Sequence, residues 1–129
     1  MLEQEILLAR ILIAEDSDTE LEYLKQILHG TPHQLTVTRD GLQAEAAAKA
    51  APHDLIILDV IMPGKNGFQV CRSLKKDDRT KLTPIILLTA KTGSSDKFWG
   101  LKQGADEYIT KPYEPGNLLS SIAKQLGAS

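Results

Sequence analysis

The feature that most constrains this fold is a run of four large apolar residues, Leu55–Leu58, that ends in Asp59. Turn-forming residues flank the run, with Asp54 before it and Pro63 and Gly64 after it. A short apolar run without alternation predicts a strand buried on both faces, as in a parallel sheet covered by helices. Asp59 then lies at the sheet edge where open α/β folds bind ligands. An isolated Asp here more often begins a turn, so the other strand ends must decide its role.

Similar apolar runs recur along the chain, and helical patterns separate them. We predict further strands over residues 10–14, 34–38, 85–88 and 105–110. Residues typical of helix starts precede each helical pattern: Ser17, Asp40, Asn66, Gly93 and Pro115. At the first of these, Glu20 follows Ser17 by three residues, which predicts a reciprocal capping box. We predict a core face of Phe98, Leu101 and Ala105 for the fourth helix.

This βαβαβαβαβα order indicates a doubly wound α/β fold with helices on both faces of a five-stranded parallel sheet. Right-handed crossovers leave few topologies, and among them we predict the strand order 2-1-3-4-5. Residues 1–8 are assigned to an N-terminal extension, frayed or helical, and residues 9–129 to a single domain. No residues remain for an output domain after the last helix, so we expect the protein to act alone.

Composition excludes several classes of function. The net charge of -2 offers no basic surface for nucleic acid. The apolar start of the chain is interrupted by Arg10, far short of the ~20 residues that a membrane span needs. The single Cys71 cannot form an internal disulfide and is expected in the core. We therefore expect a cytoplasmic protein that binds neither nucleic acid nor membrane.

Four of the five predicted strands end in polar side chains that suit one chemical task. Glu15 and Asp16 follow the first strand, Asp59 the third, Thr89 the fourth and Lys111 the fifth. Because these ends share one edge of a parallel sheet, the side chains can converge on one crevice. Neighbouring carboxylates need a compensating positive charge, which Lys111 and Mg²⁺ would supply. The set predicts phosphoryl transfer onto Asp59, with Lys111 and Thr89 stabilising the phosphoryl oxygens.

The sequence resembles the receiver domains of two-component response regulators over roughly residues 9 to 126. The matching motifs occur in the family's order and spacing: Glu15-Asp16, Leu58-Asp59 with Met62-Pro63 and Gly67, Leu88-Thr89-Ala90, Gly104-Ala105-Asp106, and Tyr108-Ile109-Thr110-Lys111-Pro112. The resemblance implies a flavodoxin-like fold and a phosphorelay function. It further implies that a histidine kinase or phosphotransfer domain phosphorylates Asp59, and that a downstream protein docks on the surface of helix four, strand five and helix five.

The same resemblance assigns individual roles within the site. Asp16 and Asp59 would bind Mg²⁺, Glu15 would act through water, and the Ile61 carbonyl would complete the protein ligands. The Lys111–Pro112 peptide bond is expected to be cis. Phosphorylation would draw Thr89 toward the phosphoryl group, and Tyr108 would turn into the space that Thr89 leaves. The apolar Ile61 cannot orient an attacking water, so we expect slow self-dephosphorylation.

Two other functions compete with this interpretation. A phosphatase of the haloacid-dehalogenase type needs a second Asp two residues after the nucleophile, where this chain has Ile61. A receiver-like interaction module that works without phosphorylation usually lacks one of the acids or the lysine, and all are present here. We therefore expect a phosphoacceptor rather than a turnover enzyme. Residues 97–100 also resemble receivers of twitching motility, and Trp99 is equally compatible with anchoring a partner and with covering the sheet.

Overall fold

The computed structural model describes residues 8–127, and the predicted N-terminal extension lies almost entirely outside them. Five strands alternate with five helices along the chain: β1 (Arg10–Ala14), α1 (Asp18–Leu28), β2 (Gln34–Thr38), α2 (Gly41–Ala50), β3 (Leu55–Leu58), α3 (Gly67–Lys76), β4 (Ile85–Thr89), α4 (Ser94–Lys102), β5 (Glu107–Thr110) and α5 (Pro115–Gln125). The predicted element order is confirmed. The last strand begins two residues later than predicted, because Ala105 and Asp106 belong to the connection between α4 and β5.

The strands form one parallel sheet in the order β2-β1-β3-β4-β5, which confirms the predicted fold class. β3 lies at the centre, where Leu58 is level with Ala14 of β1 and Leu87 of β4. Asp59 and Glu15 are therefore each the first residue beyond neighbouring strands. This register places the two carboxylates at the same edge of the sheet.

The sheet is covered on both faces, as its apolar strands require. On one face, side chains of α1 and α5 pack against the strands: Leu21, Leu24, Leu28, Leu118 and Ile122. On the other face, α2 and α3 contribute small and medium side chains: Ala44, Ala48, Val70, Cys71 and Leu74. Full burial of a Leu or Ile side chain stabilises a fold by about 1.5–3 kcal/mol, so β3 contributes strongly. Burial also raises the pKa of the Cys71 thiol to about 12.

The helix starts follow the predicted caps, with one difference. The Ser17 side chain accepts from Glu20 N–H, as expected of an N-cap. The second hydrogen bond of the predicted capping box, from Ser17 N–H to the Glu20 carboxylate, is wrong. Ser17 N–H donates instead to the Glu15 carboxylate at 3.2 Å. Glu20 turns its carboxylate toward Lys111, at 3.7 Å. The first turn of α1 is thus tied to the polar edge of the sheet.

The predicted core face of α4 is wrong at two of its three residues; Ala105 is buried as predicted but lies beyond the end of the helix. Phe98 and Leu101 are exposed, whereas the buried residue of this helix is Gly100. Gly100 lies so close to the sheet that an added Cβ would be 2.8 Å from a ring carbon of Tyr108 and 2.9 Å from Leu87. Glycine carries no hydrophobic signal, so the sequence pattern indicated the wrong side. Trp99 is 51% exposed, and so it does not cover the sheet.

We expect Gly100→Ala to destabilise the protein by about 1–3 kcal/mol, because the new methyl group would overpack the space above Tyr108. Gly116 of α5 is the matched control, since a Cβ there meets nothing within 4 Å. Gly116→Ala should instead stabilise the helix by about 0.5–1 kcal/mol. Urea denaturation measures both free energies of unfolding. Equal changes in the two variants would contradict the close packing of α4 on Tyr108.

A partly buried ion network joins α2 to α3 and to the loop that follows β3. The Glu45 carboxylate accepts from Lys49 at 2.7 Å, from Lys65 at 2.5 Å and from Ser73 at 2.5 Å. Burial alone would raise the pKa of Glu45, but these donors outweigh it and lower the pKa to about 2. Since Lys65 belongs to the loop after β3, the network helps to hold that loop on α2.

The lowered pKa of Glu45 predicts a pH-dependent contribution to stability. The contribution is complete above the ordinary value of 4.5 and is lost as the pH falls toward about 2. We expect Glu45→Gln to lower the free energy of unfolding by about 2 kcal/mol at neutral pH. The difference from wild type should shrink below about pH 4.5, which urea denaturation at several pH values measures. Glu22→Gln, at an exposed site on α1, is the control. A difference in the free energy of unfolding between wild type and Glu45→Gln that stays constant with pH would contradict this account.

Candidate functional site

A cationic side chain links two carboxylates at the polar edge of the sheet. The Lys111 ammonium, just after β5, donates to Glu15 Oε1 at 2.6 Å and to Asp59 Oδ2 at 2.9 Å. Both acids are almost fully buried. The structure thus brings together residues from the ends of β1, β3 and β5, which lie up to 96 positions apart in sequence.

The pKa shifts in this group reflect burial and mutual attraction. Burial raises the pKa of the Glu15 carboxyl above its usual value, against the opposing effect of the Lys111 ammonium. Burial alone would lower the pKa of Lys111, but its hydrogen bonds to Glu15 and Asp59 outweigh this, and the pKa is raised. Lys111 therefore stays charged at neutral pH and offsets part of the acidic charge.

The same edge offers a donor set that fits a hard divalent cation. Glu15, Asp16 and Asp59 each present one carboxylate oxygen, and these oxygens lie within 4.8 Å of one another. Asp16 is exposed while the other two are buried, so the group is open to solvent on one side. Closely spaced carboxylates with an open side suit Mg²⁺, which binds one or two carboxylates and keeps several waters.

The backbone around Asp59 is held firmly in place. Asp59 N–H donates to the Ala14 carbonyl at 3.1 Å, and Asp59 Oδ1 accepts from Ile61 N–H at 3.0 Å. Gly67, the first residue of α3, lies so close that a Cβ there would overlap the Asp59 carbonyl oxygen. Its N–H donates to the Val60 carbonyl at 3.0 Å. The carboxylate of Asp59 is therefore fixed at Oδ1 by the backbone and at Oδ2 by Lys111.

The two predicted switch residues both interact with Lys91. Thr89 ends β4 and is fully buried, and its hydroxyl accepts from Lys91 N–H at 3.3 Å. Tyr108 lies in β5 with its ring buried below α4, and its hydroxyl donates to the Lys91 carbonyl at 2.7 Å. The Tyr108 ring is thus buried while the Thr89 hydroxyl still contacts Lys91 N–H. Both side chains therefore bind the backbone of the same residue in the segment after β4.

Three further observations complete the site. The Lys111–Pro112 peptide bond is cis. The Ile61 side chain is 55% exposed, although its N–H contacts Asp59. Sequence reasoning missed Arg39, whose guanidinium donates to the carbonyl oxygens of Glu15 and Asp16. No motif marks this residue, and only the pairing of β2 with β1 brings it there.

Comparison with known proteins identifies the family. The family described as the response regulator receiver domain matches residues 11–123. The chain belongs to the response regulator receiver domain family. This receiver domain is 42% identical to protein PilH of Pseudomonas aeruginosa over 115 residues, which cover 89% of this chain and 95% of PilH. It is 40% identical to the DNA-binding response regulator MtrA of Mycobacterium tuberculosis over 91% of this chain, but spans only about half (50%) of MtrA.

Solved structures show the same fold. A putative response regulator from Chloroflexus aurantiacus is similar to this receiver domain with a TM-score of 0.89 and 31% identity, over 94% of this chain and 99% of that one. The receiver domain of the sensor histidine kinase PA1611 from Pseudomonas aeruginosa has a TM-score of 0.87 and 26% identity over the same shares. In that structure a magnesium ion is coordinated in the active site cleft.

The protein is thus a receiver domain of the two-component response regulators, as its sequence motifs predicted. Across residues 8–127, the receiver domain contains no helix with the length and apolar character needed to cross a membrane. Its polar edge, with three acids and one lysine, is the candidate functional site.

Proposed function

We propose that Asp59 accepts a phosphoryl group in a phosphorelay, with Mg²⁺ as the cofactor. The observation that carries this proposal is the convergence of Glu15, Asp16, Asp59 and Lys111 on one open edge of the sheet. Membership of the receiver family supports it. Mg²⁺ would be held by Asp16, Asp59 and the Ile61 carbonyl, with Glu15 acting through water, and would neutralise charge on the phosphoryl oxygens.

The chain's own side chains would carry out the remaining steps. A carboxylate oxygen of Asp59 attacks the phosphorus of a phosphohistidine on a histidine kinase or phosphotransfer domain. The P–N bond breaks, the histidine nitrogen leaves, and an acyl phosphate remains on Asp59. Lys111, already 2.9 Å from the carboxylate, would contact one phosphoryl oxygen, and the Thr89 hydroxyl would donate to another.

Phosphorylation would then change the surface formed by α4, β5 and α5. When the Thr89 hydroxyl turns toward the phosphoryl group, its contact with Lys91 N–H is lost. The segment that also binds the Tyr108 hydroxyl is thereby altered. Phe98 and Trp99 expose apolar side chains on this surface, at 63% and 51%. We propose that a downstream protein docks there, and that the domain works in the cytoplasm.

One experiment separates this function from the two alternatives. The protein is incubated with Mg²⁺ and acetyl phosphate, and both intact mass and released phosphate are followed over time. A phosphoacceptor gains a single labile phosphoryl group per chain. Each such group is released as one phosphate when the adduct is hydrolysed. A phosphatase would release phosphate continuously at a high rate, and a phosphorylation-independent interaction module would form no adduct. Either of those results would contradict the proposed function.

The side chain at position 61 is expected to set the lifetime of the adduct. Ile61 lies beside Asp59 and offers no hydrogen-bonding group to an attacking water. We expect Ile61→Asn to lose its phosphoryl group severalfold faster than wild type, because an amide can orient that water. Leu82→Asn, at another exposed position, is the control for the polarity change alone. A phosphate-release time course in which wild type decays faster than Ile61→Asn would refute this prediction.

A further inference from the structure

An arginine that the proposed chemistry does not use spans from β2 to the loop between β1 and α1. Arg39 follows β2, and its Nε–H donates to the Glu15 carbonyl at 2.9 Å. Its Nη2 donates to the Asp16 carbonyl at 2.8 Å. The planar guanidinium presents its donors in a fixed fork, so two such bonds fix the path of the main chain to which they attach. Arg39 thus holds the backbone of both acids that follow β1.

Arg39 is itself anchored on a rigid part of the fold. The preceding Thr38 donates its hydroxyl to the Ile13 carbonyl at 2.9 Å, and its own carbonyl accepts from Glu15 N–H at 3.1 Å. Arg39 N–H donates to the side chain of Gln43 in α2 at 2.9 Å. The arginine therefore extends from a position that both β1 and α2 hold in place. Such an anchor can orient the loop that it contacts.

The positive charge of Arg39 is compensated locally. Asp18, in the first turn of α1, lies 2.5 Å from Nη2 and forms an ion pair with it. An uncompensated guanidinium near a cation site would repel the cation, so the pairing leaves mainly the geometric effect of Arg39. The contact also joins α1 to β2 through the same side chain. Arg39 connects three elements at the point where the two acids leave the sheet.

We propose that Arg39 is a positioning residue for the divalent cation site. The exposed side chain of Asp16 takes its direction from its main chain, which Arg39 holds through the Asp16 carbonyl. By fixing the carbonyls of Glu15 and Asp16, Arg39 keeps their carboxylates within reach of Asp59 before any cation arrives. This inference rests on the proposed function, because it assumes that these acids bind Mg²⁺.

The test is the affinity of the folded, unphosphorylated protein for Mg²⁺, measured by isothermal titration calorimetry. We expect Arg39→Gln to raise the Kd for Mg²⁺ by about tenfold, the lower end of the effect of losing a group that orients metal ligands. Arg39→Lys keeps the charge without the planar fork and should remain severalfold weaker than wild type. It also serves as the second variant if Arg39→Gln does not fold. Arg79→Gln is the matched control, since Arg79 contacts only Asp77 among the described residues.

Urea denaturation in EDTA accompanies each titration. A merely structural role would lower the free energy of unfolding but leave the Kd of the folded protein unchanged. A Kd within about twofold of wild type in either Arg39 variant would overturn the inference and leave the proposed function intact. A wild-type protein that binds no Mg²⁺ would overturn both.

Discussion

Asp59→Asn is expected to abolish phosphorylation completely. In the presence of Mg²⁺ and acetyl phosphate, wild type should gain one phosphoryl group by intact mass, and the variant should gain none. An amide oxygen is a poor nucleophile and carries no charge to bind the cation, so both steps fail together. The variant should fold, because an amide can still accept from Ile61 N–H as Asp59 Oδ1 does at 3.0 Å.

The control for this experiment is a second acid exchanged in the same way. Asp78 lies after α3 with 91% of its side chain exposed and forms an ion pair only with nearby Lys81 among the described residues. Asp78→Asn should therefore take up the phosphoryl group at the wild-type rate. A labile adduct on Asp59→Asn at the wild-type level would show that another residue is the acceptor.

Gly67→Ala is expected to have a large effect on stability. A Cβ at position 67 would overlap the Asp59 carbonyl oxygen and lie 2.8 Å from the Val60 Cα. Both neighbours are backbone atoms of the segment that carries Asp59, the proposed phosphoacceptor, so neither can move independently of the site. We expect a loss of about 3 kcal/mol in the free energy of unfolding, at the upper end for overpacking. Because the shift also displaces Asp59, the rate of phosphorylation should fall by up to about 100-fold.

Gly30→Ala is the matched control, since a Cβ there meets nothing within 4 Å. It should leave both the free energy of unfolding and the phosphorylation rate close to wild type. Urea denaturation and intact-mass time courses measure the two quantities for each variant. A Gly67→Ala protein as stable as Gly30→Ala would contradict the close approach of α3 to the Asp59 backbone.

The fold could be predicted from sequence wherever apolar runs and helix caps agree. The central strand before Asp59 and the helix start at Asn66 both occur as their patterns indicated. The prediction failed at α4, because the contact that orients this helix is made by Gly100, which has no side chain to produce a periodic signal. The predicted hydrogen bond from Ser17 N–H to the Glu20 carboxylate failed for another reason. There a tertiary partner, Lys111, attracts Glu20 away from the helix start.

The candidate site was predictable to the extent that it depends on strand ends. Glu15, Asp59 and Lys111 come into contact because the register of a parallel sheet brings successive strand ends to one edge. The hydrogen bonds from Arg39 to the Glu15 and Asp16 carbonyls were not predictable. They join the end of an edge strand to a loop, and no local sequence pattern marks them. The inward position of Tyr108 likewise depends on the space that Gly100 leaves above the ring.

The most direct test of the central claim is a crystal structure of the protein with Mg²⁺ and beryllofluoride, which mimics a phosphoryl group on a carboxylate. Our account predicts beryllium bonded to an Asp59 carboxylate oxygen, with the cation bound by Asp16, Asp59 and the Ile61 carbonyl. It also predicts that Lys111 and Thr89 contact the fluorine atoms. A structure with no beryllofluoride on Asp59, or with Mg²⁺ bound away from these acids, would contradict it.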